Sequence, residues 1–212
     1  VNDSYGYNVT QEWNITTTFI NPLISFVSPT ENSGTNFSRN YIIANISFTE
    51  INFQNITFEL FNNTALVNRT SYTSQTTLIN WSSLPNTNYK YNVTMTDKVN
   101  NKNTTETRQI TLDTTAPSLT ILSPEESQSF STNTSLNLNY SVSDALLLVK
   151  SCWFNLDNGA NTTISNCGNT TFNTTEGSHV LYLFANDSVN NVQTKNVSFV
   201  VSLTKVSVLG AY

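Results

Sequence analysis

Short segments in which apolar and polar residues alternate recur along the chain, roughly every 10 to 14 residues, with Asn, Gly, Pro and Ser between them. Residues 135–142, SLNLNYSV, and residues 196–201, NVSFVV, are two of these segments. Successive side chains of a strand point to opposite faces, so a period of two indicates strands that are buried on one face. Helical periodicity is nearly absent. The pattern therefore predicts an all-β fold of the sandwich type.

The segments repeat with a period of about 90 residues. Ser-Pro follows an apolar segment at residues 28–29 and again at 123–124, and MTDKVNN at 95–101 corresponds to ANDSVNN at 185–191. A period of this length is the size of one immunoglobulin-like sandwich. Pro117 cannot donate a ladder hydrogen bond and fixes its own φ, so it predicts a short, stiff connection between two such repeats.

The N-terminal residues match the end of a repeat rather than its beginning. VNDS at residues 1–4 corresponds to ANDS at 185–188, and an alternating strand follows at residues 13–19. We therefore predict two tandem immunoglobulin-like β-sandwiches preceded by an extra N-terminal strand. The predicted division is an orphan strand at 1–21, sandwich one at 22–115, sandwich two at 116–203 and a tail at 204–212.

Composition excludes several classes of function. Charged residues make up only 11% of the chain, against about 25% in an average soluble domain, and the net charge is −5. The nine Lys and Arg residues are scattered singly, so we expect no nucleic acid partner. The longest apolar run, residues 145–149, is far too short to span a membrane. With one His and no nucleophile–base pattern, we expect no enzyme activity.

The sequence is rich in acceptor sites for N-glycosylation. Asn-X-Ser/Thr occurs at eighteen asparagines, about twice as often as random placement would give. Codon bias towards Asn is the alternative, but the same bias would inflate Lys, which occurs only six times. In the alternating segments the acceptors lie opposite the apolar residues, where a glycan can project outward. The candidates are Asn14, Asn45, Asn55, Asn92, Asn139, Asn161, Asn169, Asn173 and Asn196.

Several stretches of the chain carry a family resemblance. Residues 113–117 read DTTAP, residues 152–159 read CWFNLDNG, and residues 176–179 read EGSH ahead of the segment at 185–191. On these stretches the chain resembles the tandem immunoglobulin-like repeats of bacterial and archaeal cell-surface proteins. The resemblance spans residues 22–203 and implies an extracellular or cell-surface location. Such repeats serve in adhesins, stalks, surface layers and fibres, so the resemblance leaves the function open.

One register position is occupied by different residues in the two sandwiches. Residues 84–91, LPNTNYKY, resemble the start of the sixth strand of immunoglobulin and fibronectin-type domains. There a Tyr hydroxyl bonds back to nearby backbone, the tyrosine corner. Tyr89 takes this role in our prediction, with an ordinary cross-strand Tyr as the alternative. His179 occupies the same register in sandwich two, where we expect a partly buried structural His.

Cys152 and Cys167 are the only cysteines, and both belong to sandwich two. An even number in an apparently extracellular chain predicts a disulfide, which at this spacing contributes about 3 kcal/mol. Free thiols or a metal-binding pair are the alternatives. Two cysteines with one distant His cannot complete a zinc site.

Four aspartates lie in or near predicted turns. Calcium needs six to eight oxygen ligands, usually from several carboxylates, and no EF-hand-like spacing occurs. We therefore expect solvated or turn-capping side chains and no cofactor, with calcium as the less favoured alternative. The four are Asp97, Asp113, Asp144 and Asp187.

The orphan strand suggests how the protein assembles. It would expose Trp13, Ile15 and Phe19 beside an unpaired backbone, a liability that pairing with a sheet of another subunit removes. Such a contact is head-to-tail and propagates into a filament, by analogy with donor-strand pili. The alternative is that the missing strands of that repeat lie upstream in a longer tandem array.

The leading functional hypothesis is a non-enzymatic structural subunit of a glycosylated extracellular filament, pilus or surface layer, assembling with copies of itself. One alternative is an adhesin or carbohydrate-binding module, which would need exposed aromatics. Trp81 and Trp153 are the candidates, although core packing is the favoured interpretation of each. A passive spacer in the stalk of a longer surface protein is the other alternative.

Overall fold

The computed structural model describes residues 21–203, which are almost entirely β. Four sheets form two β-sandwiches in tandem. In this part of the chain no helix has the length and apolar character that crossing a membrane requires. The predicted fold class is confirmed. The predicted orphan strand, with Trp13, Ile15 and Phe19, and the tail at 204–212 lie outside the described residues, apart from Asn21.

Sandwich one pairs a three-stranded sheet, in the order β1-β3-β6, with a larger sheet in the order β2-β9-β7-β4-β5; β8 also pairs with β7. Neighbouring strands are antiparallel except β2 and β9, which are parallel. The strands are β1 Leu23–Val27, β2 Thr35–Phe37, β3 Ile42–Thr49, β4 Phe53–Asn62, β5 Leu66–Tyr72, β6 Leu78–Trp81, β7 Thr87–Asp97, β8 Lys102–Thr104 and β9 Arg108–Leu112.

Sandwich two repeats this arrangement, with sheets in the orders β10-β12-β15 and β11-β17-β16-β13-β14. A short 3₁₀ turn, η1 Ser165–Cys167, follows β14. Its single last strand, β17, takes the place of β8 and β9. The strands are β10 Ser118–Ser123, β11 Gln128–Phe130, β12 Leu136–Ser143, β13 Val149–Leu156, β14 Thr162–Ile164, β15 Thr170–Phe172, β16 Gly177–Asp187 and β17 Val192–Val201.

Each sandwich has its own apolar core, built by the alternation seen in the sequence. In β12, Leu136, Leu138 and Tyr140 are buried whereas Asn137 and Asn139 face outward. Each fully buried side chain of this size contributes about 1.5–3 kcal/mol relative to an exposed one. Two separate cores imply that residues 113–117 connect two units rather than run through one.

Candidate functional site at the junction of the two sandwiches

The tyrosine corner predicted at Tyr89 is present. Tyr89 is buried, and its hydroxyl donates a hydrogen bond to the backbone carbonyl of Pro85, four residues upstream, at 2.8 Å. His179 reproduces this bond in sandwich two, because its Nε2 lies 3.0 Å from the carbonyl oxygen of Thr175, again four residues upstream. The register match between Tyr89 and His179 therefore reflects a shared structural role.

His179 has a second partner that Tyr89 lacks. Its Nδ1 lies 2.7 Å from Oδ2 of Asp157 in the β13–β14 hairpin turn. Burial disfavours the imidazolium, but the hydrogen bonds to Asp157 and to the Thr175 carbonyl, with the charge of Asp157, outweigh it and raise the pKa of His179. Burial acts to raise the pKa of Asp157, yet its bonds to His179 and to the Val180 N–H lower it. Both imidazole nitrogens are thus engaged structurally, as expected for a structural His.

The disulfide between Cys152 and Cys167 is present, with an S–S distance of 2.07 Å. Cys152 is fully buried in β13, and Cys167 ends the 3₁₀ turn η1. Asp157 and Asn158 form the hairpin turn between the two cysteines, both with positive φ. The bond therefore closes a loop at the side of sandwich two and takes no part in the junction.

The acceptor asparagines lie on the surface. Asn2, Asn8 and Asn14 precede the described residues, and none of the other fifteen is buried. Asn169 and Asn173 accept backbone hydrogen bonds through Oδ1, and within the described part of the chain Nδ2, the atom that carries an N-glycan, makes no competing bond.

Two candidates instead use Nδ2 within the protein. Asn45 donates it to the carbonyl of Ser28 at 2.7 Å, and Asn92 donates it to Oγ1 of Thr107 at 3.3 Å. Attachment of a glycan would replace one of the two Nδ2 hydrogens at these sites. Geometry therefore favours Asn161, Asn169, Asn173 and the outward-facing Asn55, Asn139 and Asn196 over Asn45 and Asn92.

The predicted tryptophan candidates have different environments. Trp81 is a core residue, 6% exposed, whose Nε1 donates to Oδ1 of Asn68 at 3.0 Å. Core packing is wrong for Trp153, which is only partly buried on the outer face of β13 because its neighbours Cys152 and Phe154 point inward. Its ring stacks on Phe184, with centroids 5.4 Å apart.

The aspartates cap turns, as the sequence predicts. Asp187 Oδ1 accepts the backbone N–H groups of Val189 at 2.9 Å and Asn191 at 2.8 Å, and its Oδ2 accepts Nδ2 of Asn191 at 2.8 Å. Asp97 makes the same three bonds in sandwich one. Asp144 caps the turn after β12 by accepting two backbone N–H groups through Oδ1, at 2.9 and 2.7 Å.

Three of these aspartates converge at the junction, which the sequence did not predict. One carboxylate oxygen each from Asp113, Asp144 and Asp187 lies within 4.8 Å of the other two. Asp113 follows β9 of sandwich one, whereas in sandwich two Asp144 follows β12 and Asp187 ends β16. Burial raises the pKa of Asp113; the Thr115 N–H opposes this, and the charges of Asp144 and Asp187 raise the pKa further.

Direct hydrogen bonds tie the connecting segment to both sandwiches. Asn86, in the loop before β7, accepts the N–H of Thr114 at 3.1 Å and donates to Oγ1 of Thr115 at 2.7 Å. Asn191 of sandwich two donates through Nδ2 to the carbonyl of Asp113 at 2.9 Å. Its Oδ1 accepts a hydrogen bond from the hydroxyl of Ser38 in sandwich one. These groups all lie at the ends of strands, so the two sandwiches meet end to end through a short bonded segment.

Comparison with known proteins supports the fold and goes no further. No protein-family model matches the chain, and no curated protein is significantly similar to it in sequence. Among solved structures, a marsupial T cell receptor aligns over 89% of this chain and 75% of its own, with 8% identity and a TM-score of 0.54. The fibronectin(III)-like modules of Clostridium thermocellum CbhA align over 90% of this chain and 100% of theirs, with 12% identity and a TM-score of 0.41.

Proposed function

We propose that this chain is a structural segment of a glycosylated extracellular stalk or filament, in which tandem sandwiches act as rigid links and do no chemistry. The observation that carries the proposal is the junction. A connecting segment of residues 113–117, bonded to both sandwiches by Asn86 and Asn191, restricts bending between them. Restricted bending is what an extended spacer needs, and it gives nothing to an isolated binding domain.

The disposition of glycan acceptors supports an extended, exposed protein. Sheet edges are sites of unwanted pairing between chains, and a bulky polar glycan beside an edge strand blocks such pairing. Glycans would also supply the solubility that charged residues provide in most proteins. Seven acceptors lie in or beside edge strands: Asn36 in β2, Asn68 in β5, Asn80 in β6, Asn103 in β8, Asn161 beside β14, and Asn169 and Asn173 on either side of β15.

Assembly by N-terminal strand donation is the finer form of the proposal. Both sandwiches already contain their last strands, β9 and β17, so a donated strand would extend a sheet at its edge rather than fill a gap. The edge strands β1 and β10 contain no acceptor asparagine, and each has one side that no other strand of residues 21–203 pairs with, so either could accept such a strand. Residues 8–20, with Trp13, Ile15 and Phe19 on one face, would supply the added strand.

The experiment compares three forms of the glycosylated protein by negative-stain electron microscopy and analytical ultracentrifugation. They are the full chain, a truncation lacking residues 1–20, and a full-length variant with Trp13→Ser, Ile15→Ser and Phe19→Ser. We expect filaments from the full chain and monomers from both variants. Polymers from the truncation would rule out strand donation. Monomers from all three forms would exclude the filament and would be consistent with a stalk spacer.

A sugar-binding module is the second candidate, and one observation favours it. Trp153, Phe184 and Tyr182 lie partly exposed on the outer face of neighbouring strands in sandwich two, and the first two rings are nearly parallel. A flat aromatic face of this kind can stack against a sugar ring. Binding there would make the chain an adhesin rather than a passive link, and it depends on Trp153.

A further inference from the structure

The three junction aspartates have the spacing of ligands that share one cation. Calcium binds carboxylate oxygens at about 2.3–2.6 Å, so two ligands of one ion lie no more than about 5.2 Å apart. The oxygens offered by Asp113, Asp144 and Asp187 all lie within 4.8 Å of one another. The separation therefore permits an ion between all three groups.

One of the two carboxylate oxygens of Asp113 accepts no hydrogen bond from the described residues. Its side chain is 1% exposed, and Oδ1 accepts the N–H of Thr115 at 3.0 Å and Nδ2 of Asn86 at 3.3 Å. Its Oδ2 is buried and has no hydrogen-bond partner within residues 21–203. A buried, unpaired carboxylate oxygen is costly, and a partner outside the chain removes that cost.

The negative charge at the junction is not balanced by any side chain in residues 21–203. None of the ion pairs among the described residues includes Asp113, Asp144 or Asp187. Lys150 adjoins Val149, which pairs with Asp187, but Lys150 is exposed and forms no ion pair with these groups. Three carboxylates this close repel one another, and the repulsion is relieved only by protonation or by a cation.

Residues with neutral side-chain oxygens lie beside two of the aspartates, Asp113 and Asp144. An open pocket at the junction is bounded by Asp113 and Asp144 and lined by Asn86, Thr115 and Ser143, each with a side-chain oxygen. Calcium accepts such a mixed set in irregular geometry, whereas magnesium demands a near-ideal octahedron and keeps several waters. The mixed set of carboxylate, amide and hydroxyl oxygens therefore suits calcium better than magnesium.

We propose that the junction binds one calcium ion through Asp113, Asp144 and Asp187. One ligand follows the last strand of sandwich one and two belong to sandwich two, so the ion joins the sandwiches and stiffens the connection between them. The site gives the junction a dependence on calcium that goes beyond the structural role above and does not rest on it. Calcium binding is compatible with the turn-capping roles of Asp144 and Asp187, because a carboxylate oxygen that accepts an N–H can also bind a cation.

The test uses the full chain, stripped with a chelator and then titrated with calcium or magnesium, followed by isothermal titration calorimetry and thermal unfolding. We expect one calcium per chain and a rise of roughly 5 °C or more in the unfolding midpoint of sandwich two. Asp113→Asn should abolish both effects while leaving the metal-free protein at least as stable as wild type, because a buried charge is removed. Asp144→Asn is the second variant, since its Oδ1 can still cap the turn.

Asp97→Asn is the matched control, because Asp97 holds the same turn as Asp187 but lies away from the junction. It should lower the stability of sandwich one and leave the calcium response intact. The proposal is overturned if the wild type binds no calcium at millimolar concentration, or if Asp113→Asn and Asp144→Asn, both folded by circular dichroism, respond as the wild type does. An equal response to magnesium would overturn the assignment to calcium.

Discussion

The two sandwiches have the same strand order and the same aspartate-capped turns, but they stabilise the corresponding strands β7 and β16 and the neighbours of those strands by different chemistry. Sandwich one uses Tyr89, an uncharged corner, and fully buried Ile56 at the position that corresponds to Cys152. Sandwich two uses His179, which pairs with a carboxylate, and a disulfide. The fold therefore requires a hydrogen-bond donor at the corner and a filled core, while the residues that satisfy these requirements can differ.

The largest expected difference in stability is between substitutions of two tryptophans: Trp81 in the core of sandwich one and Trp153 on the outer face of sandwich two. Trp81→Ala should destabilise sandwich one by about 3–5 kcal/mol because it empties a buried site and removes one of the two hydrogen bonds that Oδ1 of Asn68 accepts, the other coming from Oγ1 of Thr70. Trp153→Ala should cost sandwich two about 1 kcal/mol, the scale of an exposed aromatic stack. Denaturant unfolding monitored by hydrogen exchange reports on each sandwich separately. Equal losses would contradict the assignment.

The same pair of variants tests sugar binding. If the outer face of sandwich two is a sugar platform, a glycan array should detect binding by the wild type and by Trp81→Ala but not by Trp153→Ala. We expect no binding by any of the three, as the structural role requires. Loss of binding confined to Trp153→Ala would favour the adhesin.

The disulfide should stabilise one sandwich only. Cys152→Ala with Cys167→Ala removes the loop constraint, and we expect sandwich two to lose about 3 kcal/mol while sandwich one is unchanged. Calorimetry of the oxidised protein, the reduced protein and the double variant provides the measurement. If reduction shifts the unfolding of sandwich one equally, the two units are coupled more strongly than their separate cores indicate.

The smallest expected effect is the dependence on pH that the His179–Asp157 pair adds to the stability of sandwich two. The pKa of His179 is raised in the folded state, so the imidazolium stabilises sandwich two fully below about pH 6.5 and this contribution disappears as the pH rises through the folded pKa. The lowered pKa of Asp157 keeps its carboxylate ionised as the pH falls towards about 4. Because Asp157 is 50% exposed, the effect should stay below about 1 kcal/mol.

Substitution of the corner residue of sandwich two tests whether His179 causes this dependence of stability on pH. His179→Tyr should give sandwich two the corner of sandwich one and flatten its stability between pH 5 and pH 8, because burial raises the pKa of the corner Tyr89 further above that range. Asp157→Asn should also flatten it while retaining the imidazole. Urea unfolding at a series of pH values checks both variants, and a pH dependence that survives in both would assign it to other groups.

Much of the fold could be predicted because a strand buried on one face requires a local alternation of apolar and polar residues, which is visible in the sequence. The alternation around Leu138 and Asn139 gave the buried and exposed faces correctly, and the register of Tyr89 gave the corner. The error over Trp153 was avoidable, since the buried neighbours Cys152 and Phe154 imply by the same alternation that it faces outward. The occupancy of the glycan acceptors and the role of residues 1–20 remain predictions.

By itself the sequence determined the local features: which residues alternate, where turns interrupt them, and which cysteines exist to pair. Only the tertiary structure brought Asp113, Asp144 and Asp187 together. The first belongs to one sandwich and the others to the next, so their proximity arises from how two folded units meet end to end. The alternation within a strand carries no information about how the two sandwiches are placed at the junction. That placement depends on hydrogen bonds of Asn86 and Asn191, which connect residues far apart in the chain.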